Sequence, residues 1–371
     1  MITYNLLANV FNQLLTNPRS SSQEKSDQFD LKLEFEKQYE AKNYFLIPSS
    51  GSSKSNHESV KIIALHHDAI MNSAQRVVNH FSLNGSMAWG CVLPLFHVAG
   101  LGIYARAFVA RAKVYQRDWA VDGFVNWLSA NDIQLLSLVP TQIFDLVQKN
   151  VAAPKGLKHV FVGGSKLEIG LKEQILNLQW PIIETYGMTE TASMVAIGDS
   201  KNMRLLPDVE VIVAEERLRI KCNSLMTCSL QKVGDEVLYI RPDNGWYQTE
   251  DLAELSMQGQ NVVLKLLGRQ SDFVKINAEG VSLAHLRQLL SDNTKLALVA
   301  LASQRSGFDI VLVHENVENV AAIVAEFNKL VKPYEMIHKV FCIDEIPKTD
   351  LHKIMYKKLE EIIKEMPYEK I

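Results

Sequence analysis

Cysteine is scarce in this chain: Cys91, Cys222, Cys228 and Cys342 are the only four in 371 residues. No two of them form a C-x-x-C pair, which excludes a zinc knuckle and a thioredoxin-type motif. Scattered thiols in a chain of this size are expected to be reduced core residues of a cytoplasmic protein. An excess of one charge is also missing. Lys plus Arg number 39 and Asp plus Glu 42, a net charge of -3, so nothing points to nucleic acid or to an anionic membrane as partner. There is no long uninterrupted apolar run. The most apolar stretch, Cys91 to Val109, contains Pro94, His97 and Arg106, which argues against a membrane span. The opening MITYNLLANVFNQLL has no basic leader and no small-residue cleavage site, so no signal peptide is expected. Internal repeats and long low-complexity tracts are absent as well. What is present is ordinary globular material, 47% hydrophobic and 22% charged, which excludes a wholly disordered chain. A length of 371 residues suggests two domains or three.

Leu6, Leu7, Val10, Phe11, Leu14 and Leu15 repeat at helical spacing and predict a helix up to about Asn17. The polar, Ser-rich stretch Pro18 to Ser26 reads as a loop. From Tyr44 to Thr185 short apolar runs alternate with helical patterns. Strands are expected at Tyr44–Ile47, Lys61–Leu65, Met87–Leu93, Leu135–Val139, Val160–Val162 and Ile182–Thr185. Helices are expected at Asp68–His80, Gly100–Ala110, Thr141–Lys149 and Glu168–Leu178. Such alternation predicts an α/β fold with a mostly parallel sheet. After Asp199, short strands joined by tight turns predict a small antiparallel element. Beyond Gly268, the strand–helix order to Ile343 predicts a smaller α+β domain. The expected division is 1–268 and 269–371.

Seven segments could carry chemistry. Ser49-Ser50-Gly51-Ser52-Ser53-Lys54 follows a strand and could offer donors to phosphate oxygens, although a plain surface loop has the same composition. Leu95-Phe96-His97 places an imidazole beside an apolar run, where a structural histidine is equally at home. Gly163-Gly164-Ser165 ends a strand with bare backbone that a flat ring could lie against, or that a tight turn could need. Tyr186-Gly187-Met188-Thr189-Glu190 gathers a ring, a glycine, a hydroxyl and a carboxylate at a strand exit. There Thr189 could hydrogen-bond a phosphate and Glu190 could hold a hard cation. Asp251, in Tyr247-Gln248-Thr249-Glu250-Asp251, could accept two ribose hydroxyls or simply close a turn. Gly268-Arg269-Gln270-Ser271-Asp272 marks the domain junction, and Pro347-Lys348-Thr349 leads to Lys353 near the C-terminus.

Taken in that order, the segments resemble the adenylate-forming superfamily of acyl-CoA synthetases, adenylation domains and luciferases, over about Tyr44 to Leu359. VLPLFHVAGLGIYAR at Val92–Arg106, SLVPTQ at Ser137–Gln142 and Glu279-Gly280-Val281 look like the o-succinylbenzoate–CoA ligases within it. The resemblance implies an AMP-forming acid–thiol ligase that uses ATP, Mg²⁺ and CoA. A carboxylate attacks the α-phosphate, and a thiol then displaces AMP. It further implies nucleotide contacts from Ser50, Gly51, Ser52, Ser53, Gly163, Gly164, Ser165, Tyr186, Gly187, Asp251 and Arg269. It assigns Thr189 to the α-phosphate, Glu190 to the metal and His97 to the acid side of the site. Lys353, on a mobile C-terminal domain pivoting near Gln270 or Ser271, would bridge the carboxylate and α-phosphate oxygens.

The chain also departs from the pattern. Fewer than 50 residues precede the Ser/Gly loop, where the superfamily has a much longer region. The loop lacks its second glycine and its P-K pair, and Lys61 stands out of register as a substitute. Glu250, His352, Tyr356 and Ala278 replace a glycine, a glycine, an arginine and a glycine. A ligase for another carboxylic acid, or a nucleotide-binding protein that has lost catalysis, are the competing readings. For a diacid substrate, Arg106 is the candidate for the unreacted carboxylate. If Gly100–Ala110 is helical, Gly102 and Arg106 share a face, although Arg106 could instead pair with a structural acid or a phosphate.

Overall fold

The computed structural model describes residues 14–18, 20, 22–40, 43–49, 61–233, 236–276, 279–290, 295–303, 306–349 and 354–370. The chain divides into two compact units, Met1–Thr249 with Ala253–Leu266, and Glu250–Leu252 with Leu267–Ile371. The division at Leu266–Leu267 lies just ahead of the junction expected at Gly268–Arg269.

The first unit contains two sheets. β1 (Tyr44–Ser49), β2 (Lys61–His66), β12 (Cys228–Val233) and β13 (Glu236–Ile240) form a four-stranded antiparallel sheet in the order β1-β2-β12-β13. The run Ile62–Leu65 is buried without interruption, the signature of a strand covered on both faces. One cover is α1 (Ser22–Glu36), whose Leu31 and Phe35 pack with Leu46, Ile62, Ala64, Cys228 and Leu230. The loop expected at Pro18–Ser26 is therefore cut short by a helix from Ser22. The periodicity was masked because the buried stripe Gln28, Leu31, Phe35 is narrow and is flanked by exposed Phe29 and Leu33. The helix expected up to Asn17 is also corrected. Leu14 bridges Leu46 in parallel, and Leu15 N donates to Leu46 O at 3.0 Å, so this stretch is extended along the open edge of β1. The rest of that predicted helix lies outside the described residues.

The second sheet has eleven strands in the order β10-β11-β14-β15-β9-β8-β7-β6-β5-β3-β4. β3 (Ala88–Cys91), β4 (Lys113–Gln116), β5 (Leu135–Leu138), β6 (His159–Val162) and β7 (Ile182–Met188) are parallel. They alternate with α2 (His67–His80), α3 (Val98–Ala110), α4 (Phe124–Ala130), α5 (Pro140–Gln148) and α6 (Ile169–Asn177). β8 (Ser193–Ile197) then turns back antiparallel to β7. The sheet continues through β9 (Met203–Leu205), β10 (Val209–Ala214), β11 (Arg217–Cys222), β14 (Tyr247–Gln258) and β15 (Asn261–Arg269). The α/β fold is as expected, and the short strands expected after Asp199 are antiparallel: β10 with β11 and β15 with β9 in this sheet, and β13 with β12 in the four-stranded one. The antiparallel strands of this sheet extend the parallel ones into one mixed sheet, because β8, with Val195 and Ala196 fully buried, hydrogen-bonds directly to β7.

The second unit is α+β. β16 (Phe273–Ile276) and β17 (Glu279–Ser282) form a hairpin, and β18 (Leu296–Ser303), β19 (Gly307–His314), β20 (Lys339–Cys342) and β21 (Glu369–Lys370) form a four-stranded sheet. Alternation along β18 and β19 feeds two cores. Leu298 and Leu312 meet α7 (Leu283–Leu289) and α8 (Val320–Leu330), while Val299 and Val311 meet Leu359 and Ile363 of α9 (Tyr356–Ile363). Among the described residues no helix is long and apolar enough to cross a membrane.

Since Leu31 is fully buried between α1 and the four-stranded sheet, Leu31→Ala is expected to cost about 2–5 kcal/mol of stability. Urea unfolding of the variant beside the wild type checks this; a loss below about 1 kcal/mol would mean that α1 does not pack as described.

Candidate active site

In an open α/β sheet, ligands bind outside the carboxyl ends of the parallel strands, and most of the sequence-nominated residues of the first unit lie there. His97 caps the start of α3, in the connection leaving β3. Gly163, Gly164 and Ser165 follow β6, and Tyr186 and Gly187 end β7. Thr189 and Glu190 form the 3₁₀ turn Thr189–Thr191 that leads into β8. Because β6 and β7 pair in parallel with Val162 opposite Glu184, the glycine pair and the Tyr186–Glu190 run leave neighbouring strands. A Cβ on Gly163 would stand 2.6 Å from Thr185 Oγ1, so the absent side chain is what lets the two exits approach.

Gly187 has a structural reason beyond any nucleotide contact. A Cβ there would overlap the carbonyl oxygen of Ser193, because β8 returns directly over it. The return is held by Thr191, which is fully buried. Its Oγ1 accepts from Met188 N at 3.1 Å and donates toward Ser193 O at 2.8 Å. Ala192 and Ser193 then take positive φ, 54° and 110°, a conformation that costs non-glycine residues energy and that tends to occur at functional turns.

Two cations converge on this turn. Lys61, at the start of β2, places Nζ 2.7 Å from Glu190 Oε1, and Tyr247 Oη lies 3.5 Å from the same oxygen. Lys61 and Glu190 are only 15% and 13% exposed, so the pair is far less screened than a surface ion pair. Lys61, which stands out of register with the loop lysine in the linear pattern, is carried to Glu190 by β2 across 129 residues of chain. The second cation is Arg106, buried on α3. Its Nη2 donates to Ser193 Oγ at 2.6 Å, and its guanidinium lies 5.9 Å from the centre of the Trp89 ring. Its Nε has no hydrogen-bond partner, and among the described residues no ion pair forms between Arg106 and a carboxylate. Burial pulls its pKa down to about 10, still charged at neutral pH. A Cβ on Gly102 would stand 3.4 Å from Arg106 Nη2, so the two residues share a helix face as the i, i+4 spacing requires.

In the second unit, neighbouring strands bring Asp251 and Arg269 together, Nε to Oδ1 at 3.3 Å. Asp251 thus sits in a strand rather than a turn. Ser50, Gly51, Ser52, Ser53 and Lys353 lie outside the described residues, as do Lys54, Ala278 and His352. Sequence reasoning missed Ser193 and Tyr247 as members of the site. The only signal for Ser193 was its place three residues beyond Glu190, and for Tyr247 its place in the Tyr-x-Thr-x-Asp run. Among the described residues no three His, Cys, Asp or Glu side chains gather that could hold a metal alone. Glu190 offers a single carboxylate. That suits a magnesium ion that takes the rest of its shell from phosphate oxygens and water.

A mixed sheet with its polar residues at the parallel-strand exits, and a strand–turn–strand carrying Tyr186 to Glu190, defines a nucleotide-handling α/β protein. The family model for the AMP-binding enzyme matches residues 17–237, and the chain belongs to that family. The 2-succinylbenzoate–CoA ligase of Bacillus velezensis is 24% identical over 301 residues, 74% of this chain and 61% of that protein. The chain thus spans about three fifths of the length of this curated relative. The o-succinylbenzoate CoA synthetase of Bacillus subtilis, solved with its acyl-adenylate intermediate, shares the fold at a TM-score of 0.73 and 18% identity, over 85% of this chain and 68% of that one. The same enzyme with ATP and magnesium ion aligns at 0.70, again with 18% identity, over 85% and 69%.

Since Ser193 Oγ is the one hydrogen-bond acceptor of the buried Arg106 side chain among the described residues, Ser193→Ala is expected to destabilise the unit by about 1.5–3 kcal/mol. Thermal and urea unfolding of the variant measure it. A neutral result would show that the guanidinium relies on other groups.

Proposed function

We propose that this protein activates a carboxylic acid with ATP, forming an acyl-adenylate and then a CoA thioester, as a 2-succinylbenzoate–CoA ligase does. The observation that carries the reading is the buried Arg106 beside Ser193 in the same strand–turn–strand that holds Thr189 and Glu190. A guanidinium buried without a carboxylate is costly unless an anion meets it. An anion site built into the turn that faces phosphate suits a substrate with two carboxylates, one to react and one to be held.

The residues then divide the work. Thr189 binds an α-phosphate oxygen. Lys61 and Glu190 set the local charge, and magnesium, when bound at Glu190, supplies neutralisation of the phosphate oxygens. Gly163, Gly164, Ser165 and Tyr186 frame the adenine, Asp251 and Arg269 fix the ribose, and His97 lines the acid side. Ser50 to Ser53 are assigned to the outer phosphates. Lys353 meets the oxyanion that gains charge as the acyl–phosphate bond forms, a task for a fixed cation rather than for bond chemistry. We assign 1–268 as the AMP-binding domain and 269–371 as the mobile domain that presents Lys353. The partners are the acid, ATP and CoA. The four free thiols fit a reducing compartment, so we place the protein in the cytoplasm.

Pyrophosphate release across a panel of carboxylic acids tests the reading. Release with o-succinylbenzoate and no other acid is expected. Release with a different acid moves the substrate, and none with any acid leaves a nucleotide binder without catalysis. Lys353→Ala is expected to abolish adenylation yet spare thiolysis of a supplied acyl-adenylate, so equal loss of both half-reactions in a folded variant would remove Lys353 from its assigned role. Arg106→Ala is expected to raise the KM for the diacid about 10²-fold, the worth of a lost charge-assisted pair, while the KM for ATP stays nearly constant. A mono-acid analogue without the ring carboxylate should be little affected, and equal damage to both acids would show that Arg106 does not read the second carboxylate.

A further inference from the structure

Helix α7 presents two different faces. Leu283 and Leu286 are buried in the core of the second unit. Ala284 and Arg287, one turn apart, share another face; Ala284 meets the end of β15 and Arg287 the turn that follows it. Gly268, at φ 133°, would bring a Cβ to 3.3 Å from Ala284 Cβ. Asp272 closes the 3₁₀ turn Gln270–Asp272, and its Oδ1 lies 2.7 Å from Arg287 Nη1. The same guanidinium donates from Nε to Leu298 O of β18 at 3.1 Å, and it lies 3.5 Å from the centre of the Tyr356 ring, the first residue of α9. One turn along α9, burial pushes the Glu360 carboxyl up, and the Arg287 charge opposes that rise.

Just ahead of Tyr356 the chain is fixed at its base. Lys348 bridges Ile354, and Met355 N donates to Pro347 O at 2.8 Å. Glu315 Oε1 accepts from Ile346 N at 2.8 Å and lies 3.5 Å from Lys348 Nζ. The strand side of this base is thus tied to Glu315, and its helix side runs into α9, where Arg287 sits on Tyr356. We propose that Arg287 is a positioning residue that joins the turn at 270–272 to the start of α9, so that a disturbance of one is felt at the other. A planar guanidinium can do this because its edge meets the carboxylate while its face meets the ring, and a lysine cannot do both. The consequence for catalysis rests on the role assigned above to Lys353, three residues before Tyr356. The coupling itself does not.

Hydrogen exchange on the full chain tests the coupling without reference to activity. Asp272→Asn is expected to speed amide exchange by about tenfold at residues 355–360, on the far side of Arg287, and Tyr356→Leu to do the same at 270–276. Arg287→Met should loosen both segments. Arg287→Lys, which keeps the charge but not the flat face, should protect 270–276 and loosen 355–360. If each substitution is felt only in its own segment, the proposal is overturned, and the Asp272 and Tyr356 variants decide it even where Arg287→Met fails to fold. In catalysis, Arg287→Met should lower the kcat of adenylation about tenfold or more with the KM for ATP within about twofold, and leave thiolysis of a supplied acyl-adenylate unchanged. Loss of ATP affinity instead would reduce Arg287 to a structural role. Absence of acid-dependent pyrophosphate release in the wild type would sink the functional reading while the exchange data still decide the coupling.

Discussion

The close return of β8 over Gly187 is the constraint on which the first unit's chemistry depends. A carbonyl oxygen occupies the space where a Cβ would go, so the strand pair can form only with glycine at that position. The buried Thr191 hydroxyl then ties both sides of the turn, and the positive φ at Ala192 and Ser193 completes the reversal. Backbone held this tightly cannot drift, which is what a site needs when its catalysis is mainly positioning and charge. In this turn Glu190 faces Lys61 and Ser193 faces Arg106.

The two cations of this site are bound differently, and the difference bears on what each can do. Lys61 already has a carboxylate, so a phosphate arriving there competes for a charge that is in use. Arg106 has one neutral hydroxyl and a ring, and burial has drawn its pKa down to about 10. The cause of that lowering is burial, which disfavours the charged form. On the proposed reading, an anion that completed its hydrogen bonds would offset that burial, and the cost carried by the free protein would be returned as affinity for the ligand.

Much of this was legible in the sequence, and the failures have physical causes. Alternating apolar runs located β3, β5, β6 and β7 with α2, α3, α5 and α6, because strands buried on both faces are continuous in hydrophobicity; they missed β4, whose ends Lys113 and Gln116 are exposed, and the short helix α4. The motifs around His97, Gly163 and Tyr186–Glu190 lie together at one end of the eleven-stranded sheet, because each follows or ends one of its parallel strands. What stayed hidden depended on pairing between distant segments. Lys61 looked misplaced in the linear pattern, yet β2 carries it to Glu190. Ser193 had no motif of its own and acquired its place from the β-return. The helix Ser22–Glu36 was obscured by exposed Phe29 and Leu33, and the extended Leu14 by a pattern that would have suited a helix had β1 not offered an open edge.

The departures from the family pattern are read best through their neighbours. Tyr356 stands where the resemblance leads one to expect an arginine. An arginine there would face Arg287 at a few ångströms with like charge, close to a carboxyl, Glu360, that burial already disfavours in its charged form. With a ring in that place, Arg287 keeps its charge for Asp272 and uses its face on the tyrosine. The substitution therefore belongs with Arg287 and Asp272 as one set: without Asp272 the cation loses its carboxylate, without Tyr356 it loses its ring, and without Arg287 both lose their cation. Motif-by-motif comparison counts Tyr356 as a loss. The contacts make it a partner of Arg287, which ties the start of α9 to β18 through Leu298 O.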